Sequence, residues 1–293
     1  MTSPHNPGTD SAASTQPDLD ELRAEAMAWG HKPRRFGSWY VTEHMVRAMR
    51  AYGWTIVVGA LGQPIVYLLG LALGLAALLD MPIVDRGQEV DYLVFVAPAL
   101  LMTATIAVAS EEFTYPVMSG FKWRRYFFGF SASPLSAGQI ATGVTFGATA
   151  RMIVVAVAYY AFVWIFGAVP EPITGWIAIF ISLLAGLAFG IPLMAYAASI
   201  EDDKGQFTLV QRFLFMPMFL FSGTFYPLAT LPLWLQWIGW ISPLWHATEL
   251  GRLVTYGRPD AVPMIVVHVA YLAVLAVVGY VFARRLFARR LAR

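Results

Sequence analysis

The chain lacks cysteine and carries little charge. None of its 293 residues is Cys, which excludes disulfides, thiolate metal sites and thiol nucleophiles. Only 13% of the residues are charged, against roughly 25% in soluble proteins, whereas 58% are hydrophobic. The apolar residues come in long blocks, and about 20 apolar residues are what a helix needs to cross a bilayer. The composition therefore predicts an all-α polytopic membrane protein.

Six segments have the length and apolarity of a membrane-spanning helix. They cover about residues 54–79, 92–110, 140–169, 173–199, 207–225 and 262–282. The stretch between the fifth and sixth segments is also apolar, but Pro227, Pro232 and Pro243 interrupt it. Proline in a span frees backbone groups that must find partners elsewhere. This stretch is therefore predicted to form short external re-entrant helices.

Lysine and arginine are unevenly divided between the connecting segments. Sixteen of the 20 lie in the termini and in the connections after spans two and four, three lie in the other connections, and Arg151 lies inside span three. Because basic residues of short loops stay in the cytoplasm, both termini are predicted to be cytoplasmic. The expected location is a bacterial plasma membrane.

The N-terminal region divides into a polar tail and an amphipathic segment. Residues 1–35 are rich in Pro, Ser, Thr and Asp near their start and are predicted to be a disordered cytoplasmic tail. Within residues 36–53, Val41, Met45 and Met49 recur at helical spacing beside basic residues. Such a helix lies in the headgroup plane. It is either a simple anchor or an elbow helix that moves during a transport cycle.

Motifs for catalysis, metal binding and nucleotide binding are missing. "LSAGQ" (135–139) differs in one residue from the LSGGQ motif of ABC ATPases, but no P-loop accompanies it. Its Ser and the preceding Pro suit the start of span three. His246 and Glu249 are predicted to sit alone in an external loop, and the other histidines are too scattered for a metal site. His268, inside span six, is predicted to be a hydrogen-bond partner within the bundle in preference to a proton relay.

The connection after span two is basic and aromatic. It reads "GFKWRRYFFGF" from Gly120 to Phe130. Aromatic and Arg residues are enriched at protein–protein hot spots, so a short helix here could dock in a groove of a soluble partner. A loop whose aromatic residues rest on lipid headgroups explains the same composition equally well.

Four stretches resemble one known family of membrane proteins. They are "WTIVVGALGQPIVYLLGLALGLAALL", "EFTYPVMSGFKWRRYFFGFSASPLSAGQIATG", the basic position Arg151, and "FLFSGTFYPLATLPLWLQWIGWISPLWHATELGRLVTYG". Together they resemble the ABC-2 type transporter permeases, in the branch of lipooligosaccharide and daunorubicin exporters. The last stretch is the most specific of the four. The resemblance assigns residues 36–293 to an ABC-2 transmembrane domain.

The resemblance implies the partners and the sites. The chain is expected to be the permease subunit of an exporter for an amphiphilic drug, lipid or glycolipid, working with a second permease copy and two ATPase subunits that bind ATP and Mg²⁺. The chain itself is expected to bind no cofactor, metal or nucleic acid and to catalyse no reaction. The residues expected to contact the ATPase are Phe121, Lys122, Arg124, Arg125 and Tyr126. The residues expected to line the substrate path or its exit are Phe219, Phe221, Phe225, Tyr226, Trp234 and Glu249.

Purely structural roles also explain some of these side chains. The Phe and Met side chains of span five suit soft contacts with an amphiphile, but ordinary bundle packing explains them equally well. Trp234, Trp237, Trp240 and Trp245 are predicted to form an interfacial belt in preference to a ligand cage.

Two other functions remain as alternatives. An ion-coupled secondary transporter needs carboxylates near mid-membrane, and the 18 acidic residues lie mostly in tails and loops. A membrane enzyme that processes lipids would need a catalytic constellation, which the sequence does not display.

Overall fold

The computed structural model describes residues 18–51, 53–70 and 82–292. Among these residues, four helices are long and apolar enough to cross a membrane: Tyr92–Phe121, Ala137–Ile165, Pro172–Ser199 and Val262–Leu291. Gln206–Phe221 forms a shorter apolar helix. The predicted first span is helical over Gly53–Leu69, and residues 71–81 lie outside the described residues. The description of the chain as a mainly helical protein with membrane-spanning helices is confirmed.

The elements follow one another along the chain with short connections. The first group is α1 (Leu19–Trp29), α2 (His31–Arg50), α3 (Gly53–Leu69), β1 (Ile83–Asp85) and β2 (Gln88–Val90). The second is α4 (Tyr92–Glu112), α5 (Tyr115–Phe121), α6 (Tyr126–Ser131), α7 (Ala137–Ile165), α8 (Pro172–Gly175) and α9 (Ile177–Ser199). The third is α10 (Gln206–Val210), a π-helical turn (Gln211–Phe215), α11 (Met216–Phe221), a 3₁₀ turn (Leu228–Thr230), α12 (Leu233–Trp240), α13 (Pro243–Tyr256) and α14 (Val262–Leu291).

Two parts of the fold differ from the sequence prediction. The strands β1 and β2 pair antiparallel, with Ile83 opposite Val90, so the fold includes one hairpin that an all-α prediction omits. The tail predicted to be disordered up to residue 35 contains α1 and the start of α2. Asp18 caps α1 by accepting from the Asp20 N–H, and α1 buries none of its residues. Capping and good helix formers produce this helix without a core.

The ends of the long helices follow from capping and charge. Ser136 and Gln139 form a reciprocal capping box at the start of α7, which confirms the structural interpretation of "LSAGQ". α14 continues nine residues beyond the predicted end of span six, with Arg289 and Arg290 in its last turn. Cations there are favoured by the helix dipole. The fifth apolar helix ends at Phe221, four residues before its predicted end.

Small residues allow the helices to approach closely. Gly143 and Gly147 form a G-x-x-x-G pair on α7, and the positions where their Cβ atoms would lie are occupied by Val41 and Met45 of α2. The Thr42 hydroxyl also donates to the Gly143 carbonyl at 3.2 Å. Close backbone approach at such pairs is a general means of helix association in membranes. The amphipathic segment predicted before span one is therefore a helix that packs along α7.

The core lies between α4, α7, α9, α13 and α14. α4 is buried along nearly its whole length, whereas α14 exposes many valines. The bundle has two functional ends. One end carries residues 115–131, which we call the knob, and the C-terminus of α14. The other carries the hairpin and residues 222–261, which we call the cap.

Candidate functional site

The knob is built on a buried aromatic base. The Phe121 ring lies edge-on to the Phe127 and Phe287 rings, with centroids 4.8 Å away in each case. All three side chains are buried. The guanidinium of Arg290 lies 4.4 Å above the Phe121 ring and donates to the Ala198 carbonyl at 3.0 Å. Phe121, predicted to touch a partner, therefore supports the knob from inside.

The tip of the knob presents basic and aromatic side chains. Arg124 and Arg125 are exposed, and Trp123 exposes 52% of its surface. Arg125 has a positive φ of 53°, which turns the chain from α5 into α6. A left-handed conformation at a non-glycine residue costs energy and often marks a functional turn. The structure thus places the two predicted arginines, which are neighbours in the chain, at an outward-facing turn.

The other two predicted contact residues have partners within the chain. Lys122 Nζ lies 2.7 Å from the Asp202 carboxylate in the connection between α9 and α10. This hydrogen bond lowers the pKa of Asp202. The Tyr126 hydroxyl donates to the Pro116 carbonyl at 3.1 Å. Tyr126 therefore holds the knob together, whereas Lys122 ties the knob to the connection between α9 and α10.

Arg151 connects the C-terminal end of α4 to α7. Its guanidinium contacts the Glu112 carboxylate at 2.5 Å and the Glu111 carboxylate at 2.7 Å, at the C-terminal end of α4. Glu112 is buried and Arg151 is mostly buried. The span-three arginine is thus neutralised by two carboxylates that lie just before the knob. These ion pairs tie α7 to the end of α4 that directly precedes the knob.

The predicted path residues fall into three places. Phe219 and Phe225 meet edge to face with ring centroids 5.0 Å apart, and Phe219 also faces Tyr67 of α3 at 6.3 Å. Tyr226 lies beside them, where its hydroxyl donates to the Leu220 carbonyl at 2.8 Å. Phe221 is half-buried at the end of α11, and Trp234 is 71% exposed on α12. Glu249 belongs to a separate buried network.

An apolar cleft of about 620 Å³ lies between α9, α11 and α14, and none of the six predicted path residues lines it. Its walls come from α9, the π-helical turn, α11, α12 and α14. The lining includes Phe189, Pro192, Tyr196, Phe213, Leu214, Pro217, Met218, Trp237, Tyr271 and Leu275. Apolar clefts with a few polar groups are typical of sites for small amphiphilic molecules.

The cap contains a network of charges, buried except for Arg86, which we call the charge cluster: Asp85, Arg86, Glu249, Arg252, Arg258 and Asp260. Arg258 donates to both carboxylate oxygens of Glu249, at 2.9 and 2.8 Å. Arg86 bridges Glu249 at 2.8 Å and Asp260 at 2.7 Å. The expectation that Glu249 sits alone in a loop is therefore wrong.

Arg252 is the most deeply placed member of the charge cluster. It is 1% exposed and lies 3.7 Å over the Phe95 ring of α4. It donates to the Gly223 carbonyl at 2.7 Å, just beyond the end of α11. The buried arginine thus joins α13 to α4 and to the end of the fifth apolar helix.

Two carboxylates of the charge cluster and one neighbouring histidine have the spacing of ligands for a divalent metal ion. Ligand atoms of Glu249, Asp260 and His268 all lie within 4.8 Å of one another. However, one amino nitrogen of Arg258 lies 2.8 Å from Glu249 and 3.5 Å from Asp260. A cationic guanidinium therefore already bridges the carboxylates, and a dication there would be repelled. We interpret the cluster as an ion-pair network.

A histidine pair joins α13 to α14. Nδ1 of His246 lies 2.8 Å from Nδ1 of His268, and Nε2 of His246 lies 2.9 Å from the Trp240 carbonyl. Burial lowers the pKa of His246 to about 4. The predicted hydrogen-bonding role of His268 is confirmed, but its partner is a residue that the sequence analysis placed alone in a loop. Trp245, 9% exposed, packs against both imidazoles and does not belong to the exposed tryptophan belt.

Sequence comparisons agree with this architecture. Residues 40–256 match the family described as ABC-2 type transporter. Nodulation protein J of Rhizobium leguminosarum bv. viciae is 28% identical over 252 residues, which cover 81% of this chain and 88% of that protein. Nodulation protein J of Bradyrhizobium diazoefficiens is 25% identical over 270 residues, covering 85% and 97% respectively. Because the family match spans well over half of the chain, this protein belongs to the ABC-2 type transporter family, whose members are membrane subunits of transporters.

Proposed function

We propose that this chain is the permease subunit of an ABC exporter that moves an amphiphilic drug, lipid or glycolipid across a bacterial plasma membrane. Two ATPase subunits, which bind ATP and Mg²⁺, dock on the knobs of two permease copies. The observation that carries the proposal is the exposed Trp123–Arg125 tip on a base tied to α4, α7, α9 and α14. A rigid base lets a push on the tip reach the spans.

The sidedness of the proposed exporter follows from charge. The knob end carries most of the Lys and Arg residues, so we place the knob and both termini in the cytoplasm and the cap outside. In this arrangement α2 is the elbow helix. Its His44 ring lies 5.1 Å from the Phe130 ring, so α2 also contacts the knob. The proposed protein has six spans, with α3 as the first.

The apolar cleft supports an amphiphilic substrate. Met218 of α11, the chain neighbour of Phe219, forms part of its wall, and its lining is almost wholly apolar, with Tyr196, Ser242 and Tyr271 as the polar residues. Among the four long helices, only α4 contains carboxylates, Glu111 and Glu112 at its C-terminal end, and both are paired with Arg151. A proton- or Na⁺-coupled carrier normally uses intramembrane carboxylates. The driving force is therefore assigned to the partner ATPase, which disfavours the ion-coupled alternative.

Charge reversal at the tip of the knob tests the proposal. We expect Arg124→Glu with Arg125→Glu to reduce co-purification of the co-expressed ATPase and ATP-driven transport of a fluorescent lipid in proteoliposomes by tenfold or more. The matched control is Arg23→Glu with Arg50→Glu, which makes the same change of charge at exposed residues of α1 and α2. Assembly and transport that survive the knob variant, or ATP hydrolysis by the isolated chain, would contradict the proposal.

A further inference from the structure

The histidine pair is the feature of the cap that the proposed transport function leaves unexplained. His246 and His268 are buried, at 5% and 0% exposure, and they join the cap helix α13 to α14. We propose that this pair is an acid-labile latch, which holds the cap closed near neutral pH and releases it when the solution becomes acidic. The inference concerns the cap itself and does not depend on which substrate is moved.

The direction of the effect follows from counting protons. The Trp240 carbonyl can only accept, so Nε2 of His246 carries a proton. The 2.8 Å contact between the two Nδ1 atoms needs one proton between them, because two lone pairs or two N–H groups would repel. With His246 protonated only at Nε2, His268 donates through Nδ1. The closed pair therefore tolerates one further proton at most, at Nε2 of His268.

Protonation of both imidazoles to imidazolium cations breaks the latch. If both histidines are protonated at both nitrogens, two N–H groups face each other at the Nδ1 contact. Once the cap separates from α14, water surrounds each ring and both imidazoles can take up a proton near their ordinary pKa of about 6.5. The open form thus binds at least one more proton than the closed form.

The surrounding charges do not remove this limit. Glu249 of α13 and Asp260 of the following connection are negative, and the Asp260 carboxylate lies 3.8 Å from Nε2 of His268. Arg258 of the same connection and Arg86 of the hairpin are positive and oppose a second charge. Nε2 of His268 makes no hydrogen bond to the described residues. Nε2 of His268 can accept one proton in the closed form. A second proton would have to enter the contact between the two Nδ1 atoms, which holds only one.

The pH dependence has a definite sign. The open form binds the extra proton, so closed-cap stability is fully present above about pH 6.5 and falls as pH drops. Each proton of difference changes the closed-to-open ratio by about tenfold per pH unit. The carboxylates titrate lower, so the window between about pH 5 and 7.5 isolates the histidines. In the proposed orientation, acid outside the cell would loosen the cap.

Single cysteines can report cap opening because the chain has none of its own. Thr248 of α13 is 0% exposed, and its hydroxyl makes no hydrogen bond to the described residues, so Thr248→Cys is a conservative buried probe. Ala229→Cys provides an exposed reference in the cap. The ratio of maleimide reaction rates at the two sites, measured in nanodiscs, cancels the pH dependence of the thiol itself. Nanodiscs expose both faces, so the result is independent of sidedness and of the ATPase.

We expect this ratio to rise by about tenfold to a hundredfold per pH unit between about pH 6.5 and 5, with a factor of about ten for each proton of difference. The rise should persist with the control His31→Gln, an exposed histidine of α2, and disappear with His246→Gln and His268→Asn together. The Asn amide can still donate where Nδ1 of His268 does. A flat ratio in the unmodified background, or a rise that survives the double variant, overturns the latch.

If the double variant does not fold, a single variant still tests the proposal. His268→Asn alone keeps a donor toward His246 and leaves one titrating ring. Its ratio should therefore change by no more than the one-proton slope, about tenfold per pH unit. A steeper change with this single variant overturns the proposal, and a change within that slope supports it. A Zn²⁺-dependent fall in the unmodified ratio at neutral pH would also overturn it, because it would identify a metal site.

Discussion

The two ends of the bundle treat charged residues in opposite ways. At the knob, Arg124 and Arg125 project from a fixed turn into solvent. In the cap, Arg252 and Arg258 are each 1% exposed and are held by carboxylates and backbone carbonyls. Exposed guanidinium groups are free to form ion pairs with another molecule, whereas buried ones already form their ion pairs and hydrogen bonds within the chain. The same residue type is thus left accessible at one end and is committed to cohesion at the other.

The largest expected effect is at the centre of the charge cluster. Glu249→Gln leaves Arg258 and Arg252 buried beside an uncharged amide, and removal of one partner from a buried ion pair costs about 3–5 kcal/mol. We expect the free energy of unfolding in mixed micelles to fall by about that amount. Glu43→Gln is the matched control, because Glu43 pairs with Arg47 on the surface of α2. A loss below about 1 kcal/mol for Glu249→Gln would place the cluster with ordinary surface pairs.

An intermediate effect is expected where the end of α4 joins α7. Arg151→Gln leaves the buried Glu112 carboxylate without its cation, and hydrogen bonds to charged groups contribute about 1.5–3 kcal/mol. The free energy of unfolding should fall within that range. Arg151→Lys keeps one charge but cannot contact Glu111 and Glu112 through two amino groups, so its loss should be smaller. Equal losses for the two variants would show that the paired geometry contributes nothing.

The smallest effect is expected at the side of the knob. Lys122→Met removes a pair with Asp202, whose carboxylate is exposed, and exposed ion pairs contribute little to stability. The unfolding free energy should stay nearly constant. Because Lys122 lowers the pKa of Asp202, this variant should return that pKa upward toward its ordinary value, which a carboxyl NMR titration of Asp202 can measure. An unchanged titration would show that the pair does not form in solution.

The difference between the two ends also explains what the sequence could predict. The spans follow from long apolar runs, and the start of α7 follows from Ser136 and Gln139, because both signals are local. The arginines of the knob lie together in the sequence, so their proximity was evident. The charge cluster was missed because Asp85, Glu249 and Asp260 come from segments that only the tertiary fold unites.

Other parts were missed for related reasons. His246 and His268 lie 22 residues apart on two helices, and no period or motif connects them. The π-helical turn Gln211–Phe215 has no signature in composition. α1 was assigned to disorder because it has few apolar residues, although capping and propensity favour a helix. Long-range contacts and local backbone irregularities therefore limit what a single sequence predicts.

The position of Arg252 constrains how the protein can change shape. Its guanidinium is anchored at once to the Phe95 carbonyl in α4 and to the Gly223 carbonyl beyond α11, away from water. Stripping a buried cation of these acceptors is costly. α13 and the C-terminal end of the fifth apolar helix must therefore move as one rigid body. The turn at Gly257, whose positive φ of 68° ends α13, is no free joint, because Arg258 just beyond it is clamped to Glu249 of α13, so the turn is carried along with the helix.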